Sequence, residues 1–216
     1  MKNFKSWFEN YWYHYKWATI ISAISIFALC VCLFQCTKKQ EYDMYALYAG
    51  PIYIGGEQSK ALSDSINDYM SDDKQAVCIN SFTYVSEEKI EEYKKDDVYV
   101  NEGIIMQQAN DFFDFLYTAN FNMLILDSEL YSRIDKEKLI CPLSDISNIA
   151  QEKSKDGYCL NLSDTKLREK YKIFAEMPDD TVLCFRKNVL MQNLASANNK
   201  QTYEYHKDVF KMIIEE

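Results

Sequence analysis

Two carboxylates near the middle of the chain have the placement of residues that do acid–base or ligand chemistry. Asp127 directly follows the apolar run Met123–Leu126, and Glu129 lies two residues further on. A carboxylate pair can transfer protons or bind a cation, and ligands of open α/β sheets bind at the carboxyl ends of the strands. The alternative is that Asp127 or Ser128 caps the helix that follows. We predict Asp127 as a ligand-binding residue from its position and predict no catalytic residue.

The Gly55-Gly56 junction is a second candidate binding element, because it joins an apolar run to a helical pattern. Exposed backbone N–H groups at such a junction can hold an anion or a carboxylate. The junction lacks the lysine of a phosphate-binding loop and the spacing of a dinucleotide-binding fingerprint. The alternative is a tight turn that needs two glycines. We predict Gly55 and Gly56 as ligand-binding by position.

Thiols are numerous and imidazoles are few, with seven cysteines and two histidines, His14 and His206. Four cysteines lie beyond the N-terminal segment, and none forms a C-x-x-C pair, so the sequence predicts neither a metal site nor a cofactor. A thiol nucleophile would need His206 as its base. The four thiols are either buried small apolar groups or partners in disulfides, and the sequence does not choose. They are Cys78, Cys141, Cys159 and Cys184.

An uncharged segment at 17–37 predicts a membrane-spanning helix. Its 21 residues are bounded by Lys16 and by Lys38-Lys39, and as a helix they reach about 30 Å, enough to cross a bilayer. Trp7, Trp12 and Trp17 are predicted to lie at the membrane interface, as amphipathic rings do. The long region before the span and the absence of a clear cleavage site favour an uncleaved signal anchor over a signal peptide. We therefore predict a juxtamembrane segment (1–16), a span (17–37), a linker (38–44) and a domain (45–216).

Charge predicts the orientation of this anchor. Up to residue 36 the chain carries three Lys and one Glu, whereas the remainder carries 21 basic and 32 acidic groups, a net charge of −11. Positive charge before the span favours a cytoplasmic N-terminus and an extracytoplasmic domain. An acidic domain also disfavours nucleic acid as a partner, because nucleic-acid binding depends on neutralising phosphates.

The remainder reads as one α/β domain with alternating elements. Short apolar runs predict strands, and apolar residues at helical spacing predict helices. The predicted strands are 45–48 with 51–54 as an extension, 76–84, 123–126, 173–177 and 181–186. The predicted helices are 58–71, a short one capped by Ser86, 101–118 and 202–215.

Four segments of the domain carry a resemblance to a known family. They are NMLILDSELY (122–131), LICPLSD (139–145), GYCLNLSD (157–164) and DDTVLCFRKN (179–188). This pattern resembles extracellular solute-binding proteins of the type II periplasmic-binding-protein fold, and in particular small membrane-anchored relatives in Gram-positive bacteria. The resemblance implies a three-layer α/β domain. A complete protein of that family has two lobes, and about 175 residues are expected to form one.

These observations predict a membrane-anchored, non-catalytic binding module. Its partners are the lipid bilayer, through 17–37, and an unknown solute or membrane protein. The alternative is an accessory subunit of a membrane transport or secretion complex. A hydrolase that uses Asp127 and Glu129 is the enzymatic hypothesis.

Overall fold

A computed structural model describes residues 2–37, 42–71, 76–97, 99–119, 121–187 and 197–216. The chain divides into two compact units, Met1–Glu41 and Tyr42–Glu216. The predicted linker 38–44 lies largely outside the described residues. The first strand of the second unit begins at Met44.

The first unit is one helix, α1 (Lys2–Thr37). Within it, Trp7–Cys32 has a mean hydropathy of 1.7 and is long and apolar enough to cross a membrane. The segment contains neither Gly nor Pro, so nothing in its sequence breaks the helix. The helix therefore begins well before the predicted span and includes most of the predicted juxtamembrane segment. An N-terminal signal sequence can meet the same criteria of length and composition.

The second unit is built on a five-stranded mixed sheet with the order β2-β1-β3-β5-β4. The first three strands are parallel, and β5 runs antiparallel to both β3 and β4. β3 and β5 are buried along their whole length, as strands covered on both faces are. The strands are β1 (Met44–Gly50), β2 (Val77–Thr83), β3 (Met123–Leu126), β4 (Leu160–Asn161) and β5 (Val182–Phe185).

Helices cover both faces of this sheet and bury two separate apolar clusters. The first cluster contains Ala46, Ile125, Leu183 and side chains of α2 and the C-terminal helix. The second contains Leu47, Leu124, Cys184 and side chains of α4 and α5. The domain is therefore three-layered. The helices are α2 (Gly56–Asn67), α3 (Glu87–Lys95), α4 (Glu102–Thr118), α5 (Ser128–Ser132), α6 (Lys136–Leu139), α7 (Asn148–Lys153), α8 (Leu167–Lys170), α9 (Lys172–Ala175) and a C-terminal helix (Ala197–Glu215).

Two predicted strands are wrong. The chain bends out of the sheet after Gly50, so 51–54 does not extend β1. The segment predicted as a strand at 173–177 lies largely in the short helix α9, whose Ile173 and Phe174 pack into the first cluster. The adjacent apolar residues Ile173 and Phe174 are compatible with one helical turn as well as with a strand, and packing against the core selects the helix.

Candidate functional site

The predicted site residues lie at the carboxyl edge of the parallel strands but not on one side of the sheet. Gly55 and Gly56 follow β1 and lead into α2, which packs on the first cluster. Asp127 follows β3, and its N–H donates to the carbonyl of Ala49 at 2.8 Å. It leads into α5, which packs on the second cluster. The glycines and Asp127 therefore begin helices on opposite faces.

Asp127 is the N-cap of α5. Its Oδ1 accepts a hydrogen bond from the Glu129 N–H at 2.9 Å, and the residue is buried. Burial raises the pKa of the Asp127 carboxyl, although the hydrogen bond from Glu129 opposes the rise and the nearby Asp180 carboxylate adds to it. The structure therefore contains the helix-capping arrangement that was the alternative for this residue.

The two glycines are not required by backbone conformation. Gly55 has φ −83°, which any residue adopts. A Cβ at Gly55 would lie 3.1 Å from the Gln58 side chain, whereas a Cβ at Gly56 would meet no atom within 4 Å. The tight-turn explanation therefore does not account for Gly56. Binding of a ligand at this junction stays a prediction.

A polar network that sequence reasoning missed lies beside Asp127. The guanidinium of Arg133 donates to the Glu129 carboxylate, one turn earlier along the chain, and stands 5.9 Å above the ring of Tyr84. Burial raises the pKa of the Tyr84 hydroxyl, and its hydrogen bond to Glu129 raises it further. Glu129 is thus held by a cation and a phenol, which leaves it poorly placed to act as a free base.

This network forms one wall of an open cleft of about 380 Å³ between α3 and α4. The cleft lies at the carboxyl end of β2, because Tyr84 directly follows that strand. The backbone N–H of Thr83 donates to Gln108 of α4 at 2.7 Å, which holds the second helix against the strand end. Apolar side chains supply much of the lining: Val85, Ile90, Ile105, Met106 and Ala109.

An ion-pair bridge joins the two helices across the cleft. The Lys94 ammonium lies 2.9 Å from a Glu91 oxygen on its own helix and 3.0 Å from a Glu102 oxygen at the start of α4. Hydrogen bonding to Lys94 lowers the pKa of Glu91, and hydrogen bonds to Glu91 and Glu102 raise the pKa of Lys94. All three groups are exposed, so the bridge contributes little stability and mainly fixes charge at the rim.

The surface around this cleft is both acidic and apolar. Residues 86–119 carry nine acidic and three basic side chains, a net charge of −6 out of −9 for the chain. Outside α1, five of the eight exposed large apolar side chains in the described part of the chain lie at 93–117. Met106 is 68% and Tyr99 is 88% exposed. Exposed apolar side chains concentrated in this way are typical of interaction surfaces. We call this region, residues 86–119, the α3–α4 surface.

A second open cleft, of about 250 Å³, lies near the carboxyl end of β3, between α5 and the turn before β4. Asp156 organises it: its Oδ2 accepts from the Tyr131 hydroxyl at 2.7 Å and from the Lys136 ammonium at 2.8 Å. Ser128 donates to Asp180 at 2.7 Å on the opposite side. Cys159 contributes to the lining.

The imidazole of His206 is remote from the carboxyl edge. Its Nδ1 lies 3.1 Å from Oδ1 of Asn122, which directly precedes β3, whereas Asp127 follows the other end of that strand. His206 therefore cannot serve as the base for chemistry at Asp127. Within the ranges described above, no three His, Cys, Asp or Glu side chains are grouped closely enough to hold a metal ion.

Arg186 is a buried cation that the sequence did not indicate as internal. Arg186 follows β5 and is buried, with its guanidinium 4.4 Å above the ring of Phe121 and donating to the Ala119 carbonyl. Burial lowers its pKa. The Arg-Lys pair at 186–187 offered no signal that the first of the two would be internal.

Comparison of the chain with known protein families, with curated proteins and with solved structures finds no match.

Proposed function

We propose that this protein is a membrane-anchored, non-catalytic binding module. In this proposal α1 is an uncleaved anchor, the Tyr42–Glu216 unit is extracytoplasmic, and the α3–α4 surface is where the domain meets its partner. The observation that carries the proposal is the concentration of exposed apolar side chains and negative charge around one open cleft.

The chemistry of this surface specifies the partner. An apolar lining favours a partner that inserts apolar side chains, and a net charge of −6 on residues 86–119 favours basic side chains around them. The rim cation Lys94 is already neutralised by Glu91 and Glu102. A protein segment that combines apolar and basic residues fits the surface better than an anionic solute.

The absence of catalysis in this proposal is supported by how the candidate carboxylates are used. Asp127 caps α5, and Glu129 is held by Arg133 and Tyr84. The mixed sheet, with three parallel strands and one antiparallel strand inserted before β4, is compatible with a single lobe of a type II periplasmic-binding-protein fold. That likeness is part of the proposal.

Site-specific photo-crosslinking in the native membrane tests the proposal. A photoreactive amino acid replaces Met106, and the matched control replaces Met212, a methionine of the C-terminal helix that is 48% exposed. We expect one protein to be captured at 106 and not at 212. Glu91→Lys with Glu102→Lys is expected to lower that yield about tenfold or more, since it opposes basic groups. The matched control, Glu152→Lys with Glu169→Lys, reverses two exposed charges outside the α3–α4 surface and is expected to keep the yield.

Two outcomes would overturn the partner proposal. Equal capture at 106 and 212 would mean that the α3–α4 surface has no specific partner. A rise in melting temperature of the full chain in detergent with a sugar, amino acid or short peptide would instead support a solute-binding module, because a ligand stabilises the state it binds.

A further inference from the structure

Two cysteines at the junction of β4 and β5 are placed opposite one another by the sheet register. β4 pairs with β5 in antiparallel fashion, with Leu160 opposite Leu183 and Asn161 opposite Val182. One further step along the same ladder sets Cys159 opposite Cys184. The two residues are 25 positions apart in sequence.

The hydrogen-bond pattern gives the type of this pair. The Leu162 N–H donates to the Thr181 carbonyl at 2.7 Å, which places these residues at a hydrogen-bonded position of the ladder, although the Thr181 N–H donates to the Pro178 carbonyl at 3.1 Å and not back to Leu162. Hydrogen-bonded and non-hydrogen-bonded pairs alternate along an antiparallel ladder, which makes the cysteines a non-hydrogen-bonded pair. The Cα atoms of such pairs lie about 4.5 Å apart, at the short end of the span that a disulfide bridges.

Both side chains point to the same face of the sheet. Cys159 and Cys184 belong to the second apolar cluster, whereas Leu160 and Leu183 belong to the first. Cys159 contributes to the raised pKa of Cys184, and the Tyr131 hydroxyl interacts with both thiols. The two sulfur atoms are therefore neighbours in one apolar layer.

The other two cysteines of the domain are excluded as partners by their positions. Cys141 packs in the first cluster, on the opposite face of the sheet. Cys78 lies on β2, which is separated from β5 by β1 and β3, a distance of about 14 Å at the usual strand spacing. Cys159 and Cys184 are thus the one pair of the domain's four thiols that the fold places together.

We infer that Cys159 and Cys184 are a disulfide-forming pair that is joined across β4 and β5 on exposure to a disulfide oxidant. All four domain thiols are free in the structure. The bond forms by thiol–disulfide exchange. The Cys159 thiolate attacks one sulfur of the oxidant and releases its other half as a thiol, and Cys184 then displaces the second half, also as a thiol. Two protein thiols and one oxidant disulfide become one protein disulfide and two small thiols.

The second cleft gives the oxidant access to this pair. Cys159 lines that cleft, whereas Cys184 is fully buried behind it, so Cys159 is the thiol that attacks the oxidant first and Cys184 is the one that resolves the mixed disulfide. Burial raises the pKa of Cys159 to about 11 and raises that of Cys184 well above its ordinary value. The thiolate is therefore scarce at neutral pH, and the exchange is expected to accelerate as pH rises.

Peptide mapping of the full chain tests the pairing. The protein in non-ionic detergent is treated with oxidised glutathione at pH 8.5, alkylated and digested with trypsin without reduction. Cleavage after lysine and arginine puts Cys159 on peptide 156–166 and Cys184 on peptide 173–186, each with one cysteine. We expect these two peptides to be joined, and the oxidised protein to melt roughly 5–10 °C higher, since the bond closes a loop of about 25 residues.

Variants separate this result from random oxidation. Cys78→Ser with Cys141→Ser is expected to leave the joined peptides unchanged, and Cys159→Ser is expected to leave Cys184 as a free thiol. Joining of Cys184 to any other cysteine would overturn the inference. The inference would also be overturned if Cys159 and Cys184 stay reduced after treatment with oxidised glutathione while the near-ultraviolet circular dichroism shows that the protein is folded.

The pairing follows from register alone and goes beyond the proposed function, so its failure is distinguishable from a failure of that proposal. A bond that forms in detergent but is absent from protein isolated from cells after rapid alkylation would support the pair and count against an extracytoplasmic domain. A bond already present in cells supports both.

Discussion

The pKa of Asp156 is set by a balance between burial and hydrogen bonding. Burial acts to raise its pKa, but the hydrogen bonds from Lys136, Tyr131 and the Tyr158 N–H outweigh burial and lower the pKa to about 2. The unfolded carboxyl titrates at 3.8. Because the folded pKa is the lower one, this group stabilises the fold above pH 4, and that stability is lost as pH falls from about 4 to 2.

Asp156→Asn is therefore expected to destabilise the protein at neutral pH and to matter less in acid. A shift of this size corresponds to about 2 kcal/mol, and partial exposure of the Lys136 pair reduces the expected loss to about 1 kcal/mol. Urea unfolding of the full chain in detergent at pH 7 and at pH 2.5 measures it. Asp111→Asn, an exposed carboxylate on α4, is the matched control. An equal loss at both pH values would mean that shape, not charge, matters at this position.

At this scale the sequence indicated the position of Asp127 at the end of a strand, and ligand binding there stays a prediction. Asp127 was recognisable because an apolar strand and a polar residue adjoin in sequence. The α3–α4 cleft was not, because it depends on Lys94 meeting Glu102 across the break between two helices and on Arg133 lying over Tyr84, which is distant in sequence. Arg186 gave no signal at all, since its burial depends on Phe121 from another element.

At the level of elements, the short helix α5 allows the capping role of Asp127 to be tested. Its N-cap Asp127 accepts one hydrogen bond and is buried. Asp127→Ala removes the cap and is expected to cost about 1 kcal/mol. Asp127→Asn keeps an acceptor and removes a buried charge. The Asp127 carboxyl has a raised pKa in the folded state, so its contribution is most favourable in acid and declines as pH rises through that pKa.

We therefore expect Asp127→Asn to match the parent protein at neutral pH or to exceed it in free energy of unfolding. Urea unfolding of both variants in parallel measures this. If Asp127 instead binds a ligand, Asp127→Asn would keep its stability and lose the binding. A loss of stability in Asp127→Asn as large as in Asp127→Ala would contradict the capping role.

Elements were predictable where a local pattern and its tertiary environment agree. Met123–Leu126 has four apolar residues in succession and lies in a strand buried on both faces, so pattern and packing point the same way. Ser86 caps α3 as predicted, with its hydroxyl accepting from the Lys89 N–H at 3.3 Å. The error at 173–177 arose where an apolar pair satisfied either structure and only the surrounding core selected the helix.

At the scale of the whole molecule, sequence pattern and structure agree on one apolar N-terminal helix and one three-layer α/β domain. The register of the sheet, which sets Cys159 opposite Cys184, was not available from the sequence, because β4 has only two residues and no pattern of its own. The direction proposed for α1 as a membrane anchor rests on charge, which neither packing nor register determines.

Reporter fusions test that direction. Positive charge is concentrated before the span, with Lys2, Lys5 and Lys16 against Glu9, so the N-terminus is expected to stay in the cytoplasm. Alkaline phosphatase fused after Glu216 is then expected to be active in bacterial cells, and green fluorescent protein at the same site is expected to stay dark.

Charge variants make the cause testable. Changing Lys2, Lys5 and Lys16 to glutamate removes the positive charge that is expected to keep the N-terminus in the cytoplasm. This change is expected to lower the activity of the phosphatase fusion several-fold and to raise the fluorescence of the green fluorescent protein fusion correspondingly. Lys38→Gln with Lys39→Gln removes charge from the other side of the span and is expected to leave the phosphatase active, since it increases the same asymmetry. Fluorescence of the green fluorescent protein fusion to the parent chain would mean that the topology is the reverse of the one proposed. The α3–α4 surface and the Cys159–Cys184 pair would then lie in the reducing cytoplasm, where that pair would stay as thiols.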